Sequence, residues 1–228
     1  MSNHKAPVVT IDGPAGSGKG TIARRLAEKL NYHYLDSGAL YRILALHSQQ
    51  QNIDLDNLEQ LVELCHDMQV RFEVEPQNEY ARVLLNNEDV SDQLRTENCA
   101  ARASQLAERT QIRSALLEKQ HAFRILPGLV AEGRDMGTVV FPDAKSKIFL
   151  TASAEERACR RQKQLIKQGS SASLDRLLKE IKARDKRDMD RAISPLRPAA
   201  DAVLLDSTKL SIDQVVQRII ALVQDESD

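Results

Sequence analysis

The feature that most constrains this chain is a glycine-rich loop directly after a short apolar run. Residues 8–12 read VVTID, residues 13–21 read GPAGSGKGT, and a pattern with Ile22, Leu26 and Leu30 at helical spacing follows. The order strand, turn and helix gathers several backbone N–H groups and the positive end of a helix dipole around one point. We therefore expect the chain to fold around a phosphate site, and we call residues 13–21 the phosphate loop.

The residues of the phosphate loop indicate what is bound. Glycines can turn backbone amides toward phosphate oxygens, and Lys19 is in register to reach the β- and γ-phosphates of a triphosphate. Gly20 stands where the strict motif has Ser or Thr, and Thr21 follows it, so the direct magnesium ligand stays open. The expected triphosphate-binding residues are Gly13, Pro14, Ala15, Gly16, Ser17, Gly18, Lys19, Gly20 and Thr21, and Gly13, Gly16, Gly18 and Gly20 are expected to need the conformational freedom of glycine. GKGT resembles the nucleoside monophosphate kinases, and the N-K-x-D guanine reader of regulatory GTPases is absent from the sequence.

Four more apolar runs with polar carboxyl ends complete a predicted sheet. They are HYLDS (33–37), LVAEGRD (129–135), KIFLTAS (147–153) and AVLLDS (202–207). Helical patterns separate the runs, which is typical of a parallel sheet with ligands at the carboxyl ends of its strands. We predict an α/β fold with a five-stranded parallel sheet and helices on both faces, which is the architecture of the P-loop kinases.

Two segments interrupt the alternation of strands and helices. Between about residues 67 and 94, VRFEVE and ARVLLNN alternate with period two around turn residues, which predicts a small antiparallel β insert. KQGSSAS (167–173) precedes a long charged helical pattern, LDRLLKEIKARDKRDMDRA, which suggests a mobile helical lid. We divide the single domain 1–228 into a core (about 1–60, 100–160 and 195–228), an insert (about 61–99) and a lid (about 161–194).

Composition excludes several classes of protein. Lys plus Arg (32) and Asp plus Glu (33) nearly cancel, so no global field attracts nucleic acid or an anionic membrane. Cys65, Cys99 and Cys159 never form a C-x-x-C pair, which argues against a disulfide framework or a zinc site. No stretch matches a signal peptide or the ~20 apolar residues of a membrane span. We expect a cytoplasmic protein without nucleic-acid or membrane partners and, because nothing suggests an interface, a monomer.

Charged residues after two strands suggest a site for an anionic acceptor. In LDSGALYR, Asp36 and Ser37 stand at a strand end and Arg42 lies on the next helix, although a helix cap with a solvated arginine explains this pattern equally well. In AEGRDMGTVVFPDA, Arg134 and Asp135 follow a core strand at an edge where charge has little structural use, unless they form a local ion pair.

The lid pattern carries a further cluster of charge. Arg184, Arg187, Asp188 and Arg191 fall at i, i+3, i+4 and i+7, so they are expected to share one helix face. Such ladders are often solvated charge only. Three arginines around one aspartate instead suit a clamp on a transferring phosphoryl group and an acceptor phosphate.

The chain resembles the bacterial cytidylate kinases over nearly its whole length. Five stretches carry the resemblance in this order: GPAGSGKGT, LDSGALYR, ASQLAERTQIRSALLEKQHAFR, EGRDMGTVVFPDA and IKARDKRDMDRA. The antiparallel insert matches an extension of this bacterial family that the short eukaryotic UMP/CMP kinases lack. The resemblance implies magnesium-dependent transfer of the γ-phosphoryl group of ATP to CMP or dCMP, giving CDP or dCDP and ADP, in pyrimidine nucleotide metabolism.

The resemblance also implies roles for the matching residues. Cytosine would be read by Ser104, Arg113 and Asp135, the ribose hydroxyls by Asp188, and the acceptor phosphate by Arg42, Arg134 and Arg191, with Ser37 nearby and Gly38 and Tyr41 lining the pocket. Arg157 would lie against adenine, and the catalytic residues would be Lys19, Arg134, Arg184, Arg187 and Arg191. An arginine and a carboxylate do complement the acceptors and the amine of cytosine.

The chemistry requires no general base. A phosphate monoester has a second pKa near ~6, so its attacking oxygen is anionic at neutral pH. Magnesium is expected on the triphosphate and water, with Thr21 or Asp36 within reach. Two alternatives stay open: a small-molecule hydroxyl kinase of the shikimate or gluconate kind, with Asp36 taking the hydroxyl proton, and a switch that binds ATP without turnover.

Overall fold

The structure is a computed structural model that describes residues 5–75, 78, 80–167, 169 and 171–225 of the 228-residue chain. The chain forms two compact units. The first unit is Met1–Val8 with Ala23–Glu132, and the second unit is Val9–Ile22 with Gly133–Asp228. The predicted division into core, insert and lid stays a prediction.

The helices and strands follow the predicted order along the chain. The strands are β1 (Val8–Asp12), β2 (His33–Asp36), β3 (Val70–Glu73), β4 (Arg82–Leu85), β5 (Glu88–Asp89), β6 (Leu129–Gly133), β7 (Ser146–Thr151) and β8 (Val203–Asp206). The α-helices are α1 (Lys19–Leu30), α2 (Ser37–Gln50), α3 (Leu58–Asp67), α4 (Glu97–Leu106), α5 (Thr110–Ala122), α6 (Ala154–Lys167), α7 (Leu174–Asp190) and α8 (Ile212–Asp225). None of these described helices combines the length and the apolar character that crossing a membrane requires.

The strands form two sheets. The larger is a five-stranded parallel sheet in the order β2-β6-β1-β7-β8, and the smaller is an antiparallel sheet in the order β3-β4-β5. Every residue of β1 and β6 is buried, which explains why both strands are mostly apolar rather than alternating, with Thr10, Asp12 and Glu132 as their buried polar residues. The predicted α/β fold with an antiparallel insert is confirmed.

In the first unit, β2 pairs with β6 so that Asp36 lies opposite Glu132. Helix α2 packs against α4, and α3 packs against α5. The turn between β4 and β5 consists of Asn86 and Asn87, whose φ angles of 51° and 70° are those of a two-residue hairpin turn. The insert adjoins the larger sheet through Phe72 of β3, whose ring meets Tyr34 of β2 edge to face at 5.8 Å.

In the second unit, β7 pairs in parallel with both β1 and β8. Gly13 follows β1 with φ 153°, and a Cβ atom there would lie 2.0 Å from the backbone oxygen of Leu150 in β7. This approach admits only glycine. Helices α6 and α7 pack together, and α8 packs against β7.

Helix α7 is shorter than its sequence pattern indicates. It ends at Asp190, and Arg191 takes φ −56° and ψ 134°, outside the helix. The chain then folds back, since the N–H of Leu196 donates to the carbonyl of Asp188 at 2.8 Å. The prediction that Arg191 shares one helix face with Arg184 is therefore wrong. The preceding KQGSSAS stretch includes residues 168 and 170, which lie outside the described residues.

Candidate functional site

The phosphate loop has the backbone that its glycines predict, with one exception. Gly16 and Gly18 have φ angles of 76° and 94°, in the left-handed region that favours glycine. Gly20 lies in the first turn of α1, which begins at Lys19. The expectation that Gly20 also needs the freedom of glycine is wrong, because the helix has already begun there.

Two buried side chains of the loop offer donors to an anion. The Nζ of Lys19 donates to the carbonyl of Pro14 at 2.9 Å, so the ammonium group lies against the backbone of the loop. The hydroxyl of Ser17 is buried and has no hydrogen-bond partner within the described part of the chain. An unsatisfied buried hydroxyl costs about 1–3 kcal/mol, and a phosphate oxygen in the loop would remove that cost.

Two arginines of α6 hold the loop by its carbonyl groups. Arg157 donates from Nη1 to the carbonyl of Ala15 at 2.9 Å, and Arg160 donates from Nη1 to the carbonyl of Ser17 at 3.2 Å. Arg160 also donates from Nη2 to the carbonyl of Ser207 at 2.8 Å. Sequence reasoning did not select Arg160, although its i, i+3 spacing from Arg157 places both on one helix face.

Arg157 is the link between α6 and α7. Its Nη1 and Nη2 donate to the two carboxylate oxygens of Asp185 at 2.9 and 2.5 Å, and its side chain is only 5% exposed. Its Nε donates to the carbonyl of Ala152 at 3.0 Å. This bidentate pair joins the two helices. The adenine contact expected of Arg157 stays a prediction.

A cluster of charges surrounds Asp188. The Nε of Arg134 donates to Asp188 Oδ2 at 2.8 Å. Burial acts to raise the pKa of Asp188, but the charges of Arg134, Arg191 and Arg184 outweigh it and hold the pKa below its usual value. The structure thus brings together four of the predicted site residues, Arg134, Arg184, Asp188 and Arg191. Arg187 is exposed on α7.

Within this cluster, the guanidinium group of Arg191 has two buried hydrogen-bond donors that no described residue accepts. Its Nε and Nη2 atoms are buried, and neither has a hydrogen-bond partner among the residues that the structure describes. A guanidinium is always charged and makes its strongest hydrogen bonds with carboxylates and phosphates. The Arg191 environment therefore suits an anionic ligand.

Asp12 is a functional candidate that sequence reasoning missed. It ends β1, and its two carboxylate oxygens each accept a backbone N–H at 2.8 Å, one from Met136 and one from Gly137. These residues open a π-helical turn, Met136–Val140, directly after the buried Asp135. Burial raises the pKa of Asp12 to about 6, although the two amides lower it. The available signal was a carboxylate at the end of a buried strand that is otherwise apolar except for Thr10.

In the first unit, four predicted acceptor residues lie in the first turns of α2. Asp36 caps this helix, since the N–H of Ala39 donates to its Oδ1 at 3.0 Å. The capping role considered for Asp36 is therefore correct. Ser37 and Tyr41 are buried, Arg42 is half-buried and Gly38 is exposed.

The other predicted base-reading residues of this unit lie on α4 and α5. Ser104 is exposed on α4, and Arg113 on α5 has its Nη1 3.4 Å from the carbonyl of Ala107. Helix α4 is linked to α2 by Cys99, whose Sγ donates to the carbonyl of Arg42 at 3.3 Å. The first unit thus brings α2 and α4 together, while Asp135 belongs to the second unit.

Comparison with known proteins identifies the family. The family model for cytidylate kinase matches residues 9–225, from β1 to the end of α8. The chain belongs to the cytidylate kinase family. A cytidylate kinase of Pseudomonas fluorescens is 58% identical over 219 residues, which are 96% of each chain. A cytidylate kinase of Sodalis glossinidius is 55% identical over 216 residues, 95% of this chain and 94% of the relative.

The family match confirms the resemblance read from the sequence motifs, and membership makes the chain a kinase, a transferase of phosphoryl groups. Among solved structures, a shikimate kinase of Bacteroides thetaiotaomicron is 13% identical with a TM-score of 0.47, covering 96% of this chain and 98% of that one. A likeness of that degree carries no conclusion about activity.

Proposed function

We propose that this member of the cytidylate kinase family transfers the γ-phosphoryl group of ATP to CMP, and to dCMP, giving CDP or dCDP and ADP. The observation that carries the proposal is a set of unsatisfied anion-binding donors within the second unit. The Ser17 hydroxyl in the phosphate loop and two nitrogens of Arg191 are buried without a partner among the described residues. The names of relatives more than half identical to this chain support CMP as the acceptor.

The donor triphosphate would occupy the phosphate loop. Backbone amides of the loop and the ammonium of Lys19 would bind its β- and γ-phosphates. The hydrogen bond from Lys19 to the Pro14 carbonyl would be exchanged for one to phosphate, since an ionic acceptor is the stronger partner.

Magnesium fits the residues present. Magnesium keeps several waters and binds phosphate oxygens rather than requiring a protein cage. Thr21, half-buried in the first turn of α1, would offer one hydroxyl oxygen. When bound, the ion neutralises charge on the β- and γ-phosphates.

The acceptor would be bound by complementary groups. Arg42, Arg134 and Arg191 would bind the phosphate of CMP, near Ser37, Gly38 and Tyr41, while Ser104, Arg113 and Asp135 would read cytosine and Asp188 the ribose hydroxyls. The lowered pKa of Asp188 keeps this carboxylate ionised, as acceptance of hydroxyl hydrogens requires.

Catalysis would then consist of alignment and charge stabilisation. The acceptor oxygen is already anionic at neutral pH, so no residue has to remove a proton. Lys19, Arg134, Arg184, Arg187 and Arg191 would stabilise the charge on the phosphoryl group during transfer. Closure of α7 over both substrates would exclude water, which would otherwise accept the phosphoryl group.

An ADP-release assay with ATP, magnesium and a panel of acceptors tests the proposal. We expect CMP to give the highest kcat/KM and dCMP to follow, ahead of UMP, AMP, GMP and shikimate. Shikimate as the leading acceptor would support a hydroxyl kinase instead. ATP binding without turnover of any acceptor would support a nucleotide-binding switch.

We further propose that the protein works in the cytoplasm as a monomer without nucleic-acid or membrane partners. The net charge of −1 supports the lack of polyanionic partners. Cys65, Cys99 and Cys159 are all free thiols, as a reducing compartment favours. Size-exclusion chromatography with light scattering measures the oligomeric state directly.

A further inference from the structure

We propose that Arg157 and Arg160 are positioning residues that orient two peptide groups of the phosphate loop, so that the N–H groups of Gly16 and Gly18 point at the bound phosphates. This inference rests on the proposed function, because it takes the loop as the triphosphate site. It assigns the two arginines an action through the backbone rather than through contact with the nucleotide.

The geometry of the peptide group determines where the N–H groups of Gly16 and Gly18 point. In a planar trans peptide, the carbonyl of one residue and the N–H of the next point in opposite directions. Arg157 holds the carbonyl of Ala15 at 2.9 Å, and Arg160 holds the carbonyl of Ser17 at 3.2 Å. The N–H groups of Gly16 and Gly18 therefore point away from the α6 arginines.

The loop needs this constraint because its glycines are the residues that can turn most easily. Gly16 and Gly18 have φ angles of 76° and 94°, and glycine adopts such angles and their mirror images at similar cost. A rotated peptide would present a carbonyl oxygen to the phosphates instead of an N–H. A charge-assisted hydrogen bond, roughly twice as strong as a neutral one, holds each of the two carbonyls in the orientation that prevents this rotation.

Both arginines are themselves held on their other side. Arg157 makes its bidentate pair with Asp185, and its residue surface is 4% exposed. Arg160 donates from Nε to Glu156 Oε1 at 3.0 Å and from Nη2 to the carbonyl of Ser207 at 2.8 Å. Because each guanidinium group is itself fixed, its hydrogen bond also fixes the position of the loop carbonyl that accepts it.

The spacing of the contacts agrees with this role. The two arginines are three residues apart on α6, and the two carbonyls that they hold are two residues apart in the loop. Both held peptide groups thus turn their N–H groups away from α6, as donors within an anion-binding concavity of the loop would be turned.

Inorganic tripolyphosphate separates this role from a contact with adenine. We would measure the binding of ATP, tripolyphosphate and CMP to the full chain by titration calorimetry, for the wild type and for R160Q, R157Q and R161Q. Arg161 is the matched control, because it lies on the same helix and donates to Gln164 Oε1 at 2.8 Å. R160K retains the charge with one donor group and is expected to restore part of the loss.

We expect R160Q and R157Q to lower the affinity for ATP and for tripolyphosphate by the same factor, about tenfold each, since each variant loses its charge-assisted hydrogen bond to a loop carbonyl. CMP affinity should stay unchanged in R160Q, and all three affinities should stay unchanged in R161Q. In turnover, R160Q should raise the KM for ATP but not the KM for CMP. The side chain of Arg160 is 30% exposed, so R160Q carries the test if R157Q fails to fold.

Three results would overturn the inference. Unchanged tripolyphosphate binding in R160Q would remove the positioning role and leave the proposed function intact. Loss of ATP affinity with normal tripolyphosphate affinity would mean that these arginines contact the nucleoside. A wild-type chain that binds neither ATP nor tripolyphosphate would overturn this inference together with the proposed function.

Discussion

Replacing Asp12 by Asn should change how the stability of the protein depends on pH. Asp12 is 4% exposed, and burial raises the pKa of its carboxyl from 3.8 to about 6. A folded-state pKa above the unfolded value means that the folded state prefers the protonated group. The stabilising contribution is therefore complete below pH ~4 and is lost as the pH rises through ~6.

The magnitude follows from the two pKa values. The folded and unfolded states differ by about two pKa units, and one unit corresponds to ~1.4 kcal/mol. Ionisation of Asp12 should thus lower the free energy of unfolding by roughly 2–3 kcal/mol between pH 4 and pH 7. The amide that replaces the carboxyl in D12N does not titrate. The unfolding free energy of the wild type should therefore fall by this amount relative to that of D12N as the pH rises from 4 to 7.

Urea unfolding of both proteins at pH 4, 5, 6 and 7 measures this difference, provided that the m-values agree. D206N is the matched control, because Asp206 also ends a strand and accepts hydrogen bonds from the N–H and the hydroxyl of Thr208. Asp206 is exposed, and the Thr208 hydrogen bonds lower the pKa of its carboxyl, so its contribution has the opposite sign and is lost as the pH falls. A difference between wild type and D12N that stays constant from pH 4 to pH 7 would refute the argument from burial.

Three further predictions concern the two ligands and the loop. R191Q should reduce kcat/KM for CMP about 100-fold or more with little change in ATP affinity, because charge stabilisation of the phosphoryl group is lost; steady-state kinetics measure both. R113Q should raise the KM for CMP far more than the Kd for ATP, and equal losses for both ligands would contradict its assignment to cytosine. G13A should lower the unfolding free energy by more than ~2 kcal/mol, since its Cβ would lie 2.0 Å from the backbone oxygen of Leu150. The Cβ of G169A would meet no atom within 4 Å, so this variant should lower the unfolding free energy only by its backbone strain, about 1 kcal/mol. Thermal unfolding distinguishes the two glycine variants.

The elements themselves could be predicted because their signals are local. The buried strand Val8–Asp12, the glycine-rich loop and the amphipathic helix after it follow one another within 23 residues, from Val8 to Leu30. Hydrophobic periodicity and the turn residues of the insert report the same kind of short-range information. The phosphate site was therefore predictable as a motif before any tertiary contact was known.

The ends of elements were less predictable than the elements themselves. Gly20 resembles the other loop glycines in the sequence, yet α1 begins at Lys19 and includes it. The charged pattern of α7 continues past its end, but the helix stops at Asp190, and Leu196 folds back to the carbonyl of Asp188. The side-chain pattern of α7 does not contain this backbone contact.

The sequence alone determined the type and order of the elements, the phosphate loop and the family, because periodicity, glycine placement and motif spacing act over a few residues. Only the tertiary structure decided which buried charges meet. Asp12 accepts its hydrogen bonds from residues more than 120 positions away, and Arg157 bridges the loop and Asp185. Such pairs depend on the order of strands in the sheet and on helix packing, and a buried charge is tolerated only where that packing supplies a partner.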